Sequence, residues 1–172
     1  RDLLQNTRGE EAKIQAEIVA LEGLLSERGV DSSWTPILDS VSVQPGYEPA
    51  LGAALGDALT AAADDSAPMH WSVMPPFAEP EPLPAGAQPL SELVQAPELL
   101  SRRLSQVGVV SSTDLGRAHL GDLKQGQRLV TKDGDLWRWD GFVSDASVPS
   151  AAAQRLKQKN RLREVREQIQ SH

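Results

Sequence analysis

Catalysis or metal binding by this chain would have to rest on histidine and carboxylate side chains, because the sequence contains no cysteine. His70, His119 and His172 stand far apart, so none of them has the short spacing of a paired metal ligand. His70 next to Trp71 could act as a general base, but a half-buried histidine in a strand is the commoner explanation. The histidines therefore do not predict a catalytic site.

Neighbouring aspartates offer a second kind of chemistry. Asp64 lies beside Asp65, and Asp133 is two residues from Asp135, so either pair could hold a divalent cation. Aspartates at such positions more often form solvated turns, and we predict no metal here. The sequence also lacks a P-loop, a nucleophile elbow and a glycine-rich dinucleotide fingerprint. We therefore expect no catalytic residues, no metal and no cofactor.

A basic cluster near the C-terminal end is the strongest candidate for binding. Five cations alternate with other residues: Arg155, Lys157, Lys159, Arg161 and Arg163. On a helix this spacing distributes positive charge around most of the circumference. Such local charge density can attract the phosphate backbone of a nucleic acid. An equally strong interpretation is that these cations form the solvated face of a coiled-coil helix.

The length and net charge of the chain limit which other functions it can have. The chain has 172 residues, a mass of 18.6 kDa and a formal net charge of -7, which predicts one domain and disfavours wholesale nucleic-acid binding. No apolar run is long enough for a membrane span, and no signal peptide opens the chain. Because it begins with Arg1 rather than Met, we expect a piece of a longer protein. The lack of cysteine fits a reducing cytoplasm.

Both ends of the chain have the pattern of a helix with one narrow apolar stripe. The stripe residues are Ile14, Ile18, Leu21 and Leu25 in residues 1–29, and Leu162, Val165 and Ile169 in residues 150–172. The first segment has six acidic and four basic residues, whereas the second has two acidic and six basic residues. A narrow stripe needs a partner helix, and opposite charge suits pairing. We predict an antiparallel coiled coil; the alternative is that each helix packs separately on the domain.

The central residues 30–149 are expected to form a compact domain of mixed helices and strands, which makes the fold class α+β. The stretch 46–59 has a helical apolar face, 107–110 is apolar enough for a buried strand, and 69–74 is predicted as a short strand. Residues 75–97 contain seven of the 12 prolines, which predicts a loop.

The clearest local prediction is a β-hairpin in residues 127–142, because Asp133-Gly134 lies between two apolar runs. The expected cross-strand pairs are Lys132 with Asp135, Val130 with Trp137, and Arg128 with Trp139. Both faces would then carry large apolar groups, so a second layer or a second subunit should cover one of them. Trp137 and Trp139 could also stack on a base or sugar, but core or interface positions are commoner.

Three stretches carry a resemblance to a known family: WTPILD at 34–39, GYEPALGAALGDAL at 46–59, and GQRLVTKDGDLWRWDGF at 126–142. Together with the two flanking helices, the sequence resembles the hinge region of bacterial SMC (structural maintenance of chromosomes) proteins, the condensin-type ATPases of chromosome condensation and segregation. The motif WRWDGF at 137–142, within the third stretch, is typical of the alphaproteobacterial branch. The resemblance implies that residues 30–149 form a hinge and that residues 1–29 and 150–172 are coiled-coil arm segments.

The resemblance further implies a homodimer, with no enzymatic activity in the hinge itself. ATPase heads and a kleisin partner would belong to the full-length protein, which would lie in the cytoplasm on the nucleoid. The hairpin predicts the dimer contact, with candidate residues Val130, Gly134, Trp137, Trp139, Gly141 and Phe142. The five cations at the hinge–arm junction predict weak, sequence-independent DNA contact. Alternatives are a protein-interaction cap without DNA contact and an enzyme of unknown class; no membrane partner is expected.

Overall fold

The computed structural model describes residues 2–27 and 34–170 and confirms a mixed fold of helices and strands. The α-helices are α1 (Asp2–Glu27), α2 (Glu48–Leu55), α3 (Ser101–Ser105), α4 (Thr113–His119) and α5 (Ala151–Gln170). The strands are β1 (Ser42–Val43), β2 (Gln88–Pro89), β3 (Val94–Gln95), β4 (Val107–Val110), β5 (Arg128–Thr131), β6 (Leu136–Arg138) and β7 (Val143–Ser144). Short 3-10 helices cover Ile37–Ser40, Gly56–Thr60, Leu90–Glu92, Glu98–Leu100 and Leu120–Asp122. The last two residues of the predicted N-terminal segment, 28 and 29, and the side chain of Leu25 lie outside the described part.

The chain divides into two compact units, residues 33–156 and residues 1–32 with 157–172. The first unit contains a five-stranded sheet in the order β2-β4-β5-β6-β7 and a separate two-stranded sheet of β1 and β3. Among the strands of residues 34–170, only β4 and β5 pair in parallel, and α4 forms the crossover between them. The Oγ of Ser112 accepts a hydrogen bond from the amide of Leu115 at 3.2 Å and caps this helix.

The core of this unit confirms two sequence predictions. All four residues of β4 are buried, because parallel strands are covered on both faces. The predicted helix in 46–59 forms as α2 followed by a 3-10 turn, with Pro49 in the first turn where it costs no backbone hydrogen bond. Leu51 and Ala54 of α2 are completely buried. A Cβ at Gly52 would lie 2.8 Å from the Cβ of Ala153, so these backbones approach closely.

The hairpin predicted around Asp133-Gly134 is present, but its predicted register is wrong by one residue. Leu129 pairs with Trp137 and Val130 with Leu136, so the predicted pairs Lys132–Asp135, Val130–Trp137 and Arg128–Trp139 do not form. The loop holds three residues rather than two, and the amide of Gly134 donates to the Thr131 carbonyl at 3.1 Å. Gly134 has φ +106°, which suits the glycine position of such loops.

Side-chain hydrogen bonds explain this register. The hydroxyl of Thr131 donates to Oδ2 of Asp135 at 2.7 Å and accepts from the Asp135 amide at 3.0 Å. The other carboxylate oxygen of Asp135 accepts from the amide of Ala146 at 2.9 Å. Because both side chains are buried, a slip of one residue would leave these polar groups unpaired.

The predicted strand at 69–74 is wrong. His70 makes a single isolated bridge with Ala62, and residues 71–74 form no strand. The indole of Trp71 donates to the Ala58 carbonyl at 2.8 Å, which anchors this point. Two successive prolines, Pro75 and Pro76, supply no amide donors, so the segment cannot extend a ladder. Residues 75–87 form the predicted loop, whereas the rest of the predicted range contains β2, the 3-10 helix Leu90–Glu92 and β3.

The second unit is a pair of helices, α1 and the later part of α5. Arg161 donates from Nε to Glu17 at 2.7 Å, and Arg166 forms an ion pair with Glu22. Ile169, near the end of α5, lines a surface cavity together with Ala12 in the first half of α1. The antiparallel arrangement of the two helices stays a prediction. Leu162 and Val165 are buried, as their stripe positions predict.

Candidate interaction surfaces

The candidate dimer residues separate into a buried and an exposed group. Val130 and Trp137 are completely or almost completely buried within the chain itself, where Trp137 packs with Leu129. Gly134 lies against Pro49, and a Cβ added to this glycine would stand 3.2 Å from the proline Cβ. These positions support the hairpin from inside rather than present a surface.

The exposed group lies at the end of β6 and in the turn into β7. Trp139 is 43% exposed, Phe142 is 49% exposed and Val143 is 52% exposed. Gly141, between them, has φ +93° and open space beside it. Three large apolar side chains within five residues form an apolar surface, which we call the β6–β7 surface. Sequence reasoning missed Val143, because only its place on an edge strand distinguishes it from other valines.

An ion pair stabilises the turn between β6 and β7 that carries this surface. The guanidinium of Arg138 donates from Nε to Asp140 at 2.7 Å and stacks over the ring of Phe142 at 4.6 Å. The hydrogen bond from Arg138 lowers the pKa of Asp140 below its ordinary value. Among the described strands, β7 pairs with β6 on one side and ends the five-stranded sheet on the other, so its outer edge has no strand partner there.

The five candidate DNA-contacting cations differ in availability. Arg155 is buried, and Lys159 is partly buried with an interaction partner already in place. Arg161 is exposed but bound by Glu17 and Glu164, and its pKa is raised by the hydrogen bond to Glu17. Lys157 and Arg163 are exposed. The alternating spacing therefore overstated how many of these cations are available, because a contact such as that of Arg161 with Glu17 on α1 leaves no signal in the local sequence.

The candidate catalytic groups take structural roles. Nδ1 of His70 lies 2.8 Å from the carbonyl of Ala67, and Nδ1 of His119 lies 3.2 Å from Oδ2 of Asp122. Asp64 accepts hydrogen bonds from the amide and hydroxyl of Ser66, which is a turn motif. Within residues 2–27 and 34–170, no group of three or more acidic or histidine side chains could hold a metal ion.

The length and polarity of the helices determine whether any of them could cross a membrane. In the part of the chain that the structure describes, every helix is too short or too polar to cross a bilayer.

Comparisons with known proteins identify the family. The model described as the SMC proteins flexible hinge domain matches residues 31–120, which is more than half of the chain. The chain is 47% identical over 137 residues to the chromosome partition protein Smc of Rhodopseudomonas palustris. It is 54% identical over 130 residues to that of Cereibacter sphaeroides. These matches cover 80% and 73% of this chain but only 12% and 11% of the relatives, so the chain spans about an eighth of their length.

Solved structures agree on the fold. The SMC hinge domain of Geobacillus stearothermophilus superposes with a TM-score of 0.74 at 20% identity, covering 99% of this chain and 86% of that one. The Pyrococcus furiosus Smc hinge domain with an extended coiled coil gives a TM-score of 0.54 at 15% identity, covering 99% and 80%. The sheet-bearing unit, the helical pair and these matches lead to one assignment: the chain belongs to the SMC hinge-domain family.

Proposed function

We propose that this chain is the homodimerisation hinge of a chromosome partition protein, and that a second copy packs on the β6–β7 surface. The observation that carries the proposal is the exposure of Trp139, Phe142 and Val143 beside an unpaired strand edge. Apolar surface next to an open edge invites association, and a two-fold contact covers both copies at once. The related Geobacillus hinge was solved as an asymmetric dimer, which supports the same assembly here.

The domain limits form part of this proposal. Residues 30–149 would be the hinge, and residues 1–29 and 150–172 would be segments of its coiled-coil arms. Whole-protein properties follow only by relation to the chromosome partition proteins. On that basis, the full-length protein would carry ATPase heads, bind a kleisin partner and act on the nucleoid in the cytoplasm.

The test replaces one aromatic residue in the proposed contact and a matched one outside it. Phe142 and Phe77 are 49% and 44% exposed, and each stacks under an arginine at 4.6 Å. Phe142→Glu should place a charge in the contact and shift the chain from dimer to monomer in sedimentation velocity. Phe77→Glu should remain a dimer. Equal masses for the two variants would contradict the proposed surface.

Phe142→Glu is a cleaner variant than a charge at Gly141. Gly141 adopts φ +93°, so any substitution there strains the turn in addition to blocking a contact. A folded monomer of Phe142→Glu, checked by an unchanged far-ultraviolet spectrum, separates lost association from lost folding.

We further propose weak, sequence-independent DNA contact through α5. Lys157 and Arg163 support it, because both are exposed and can therefore reach a phosphate. Arg161 belongs to the predicted set but also stabilises the helical pair through Glu17. The acidic balance of the chain, -7, keeps the expected affinity low and favours the alternative of a protein-interaction cap without DNA contact.

Fluorescence anisotropy with a short duplex over a salt series distinguishes these two functions. The double variant Lys157→Gln with Arg163→Gln should weaken binding and reduce the slope of log affinity against log salt by about 2, since each lost phosphate contact removes about 0.9. Arg117→Gln, an exposed cation on α4, removes one charge elsewhere and should change the slope little. Absence of wild-type binding at low salt would favour the cap.

A further inference from the structure

The proline-rich loop folds back onto α3 and forms one side of an open cavity. Nε of Arg102 donates to the Pro75 carbonyl at 2.7 Å, and its guanidinium lies 4.6 Å above the ring of Phe77. Nε2 of Gln106 donates to the Glu81 carbonyl at 3.2 Å. These contacts fix the loop as one wall of a cavity of about 500 Å³. Its apolar walls are the side chains of Trp71 and Phe77.

Arg103 lines this cavity and is partly buried. One guanidinium nitrogen donates to the carbonyl of Gly126, whereas Nε is buried without a hydrogen-bond partner. In the described part of the chain, no carboxylate lies within ion-pair distance of Arg103. Burial, together with the nearby charge of Arg128, lowers the pKa of Arg103 to about 10, so the group stays cationic at neutral pH. A partly buried cation without an anion is costly and favours an anionic ligand.

The rim of the cavity restricts which anion can enter. Glu79 and Glu81 line it and are exposed, so a doubly charged phosphate or a nucleic-acid backbone meets repulsion there. A single carboxylate carries less charge and matches the fork of donors on a guanidinium. Trp71 and Phe77 provide apolar area for a neighbouring side chain.

From these contacts we propose that the cavity binds an acidic segment of a protein partner, with one carboxylate directed at Arg103 and an adjacent aromatic side chain packed on Trp71 and Phe77. This site is separate from the β6–β7 surface and does not depend on dimerisation. It gives the proline-rich loop a role as the wall of a peptide-binding site.

The test uses the capped dipeptide N-acetyl-phenylalanyl-aspartate amide as the probe and nitrogen-15 NMR of the full chain as the readout. The indole N–H of Trp71 and the backbone amide of Gly126 should shift and saturate with the probe. The neutral phenylalanyl-asparagine analogue should bind at least about tenfold more weakly, because it loses a charged hydrogen bond. Equal binding of the neutral analogue, or tighter binding of phenyl phosphate, would overturn the proposal.

Two variants locate the interaction. Arg103→Gln should reduce probe affinity at least about tenfold, whereas Arg117→Gln, which removes the same charge from an exposed position on α4, should not. Glu79→Gln with Glu81→Gln should increase affinity about two- to fivefold by removing repulsion at exposed positions where folding is not at risk. If the double variant of Glu79 and Glu81 leaves the affinity for the probe unchanged or lowers it, the assigned cavity is wrong. This result holds even if Arg103→Gln fails to fold.

Discussion

The indole ring of Trp137 occupies the space that a side chain at Gly116 would need, so the hairpin and helix α4 meet at a position where only glycine fits. Both residues are buried, and Gly116 has no positive φ that would itself require glycine. The constraint is therefore steric and comes from a residue 21 positions later in the chain.

Gly116→Ala should accordingly destabilise the sheet-bearing unit by about 1–3 kcal/mol, the usual cost of overpacking a core. Urea unfolding followed by tryptophan fluorescence measures the change. Gly121→Ala is the matched control, because a Cβ there meets no atom within 4 Å. A stability loss at Gly121 as large as that at Gly116 would argue against the packing described.

The second prediction concerns the hydrogen bonds that set the hairpin register. Thr131→Val keeps the shape of the side chain but leaves the buried carboxylate of Asp135 and its amide without the hydroxyl. We expect a loss of about 1–3 kcal/mol in the free energy of unfolding. Thr60→Val removes an exposed hydroxyl that donates to the Asp57 carbonyl and should cost less than about 0.5 kcal/mol. Similar costs for both would remove Thr131 as the cause of the register.

The third prediction is a pH dependence of the helical pair. The hydrogen bond from Arg161 lowers the pKa of Glu17 below 4.5, so the folded chain holds this carboxylate in its charged form more strongly than the unfolded chain does. Such a group stabilises the fold above pH 4.5, and the contribution disappears as the pH falls through the lowered folded value.

Glu17→Gln should therefore lower the thermal midpoint at pH 7 and lose its effect on acidification below the folded pKa of Glu17. Glu10→Gln, an exposed carboxylate on the same helix, should have a smaller effect at both pH values. Circular dichroism at 222 nm records the transitions. An effect of Glu17→Gln that stays constant across this pH range would contradict the ion pair with Arg161.

Local sequence patterns predicted the elements that depend on nearby residues. The continuous apolar run at Val107–Val110 is a buried strand, and Asp133-Gly134 turns a hairpin. The register of that hairpin could not be predicted, because it depends on whether Thr131 bonds to Asp135 across the loop. The apolar residues at 69–74 suggested a strand. A strand must pair with the edge of a neighbouring strand, and the prolines that follow 69–74 prevent such pairing.

The interaction surfaces were harder to predict than the fold. Sequence spacing treated Arg155 to Arg163 as equivalent cations, whereas the fold buries Arg155 and binds Arg161 to a residue 144 positions away. Such long-range contacts leave no local signal. For the same reason Trp137 and Trp139 have equivalent positions in the sequence pattern, yet Trp137 is 3% exposed and Trp139 is 43% exposed.

The solution mass of the unmodified chain tests the central claim, dimerisation through the hinge, most directly. Sedimentation equilibrium over a concentration series should give twice the chain mass of 18.6 kDa at tens of micromolar and above, about the range at which a micromolar dimer is fully formed. A mass of 18.6 kDa throughout that series would contradict dimerisation and with it the role proposed for the β6–β7 surface.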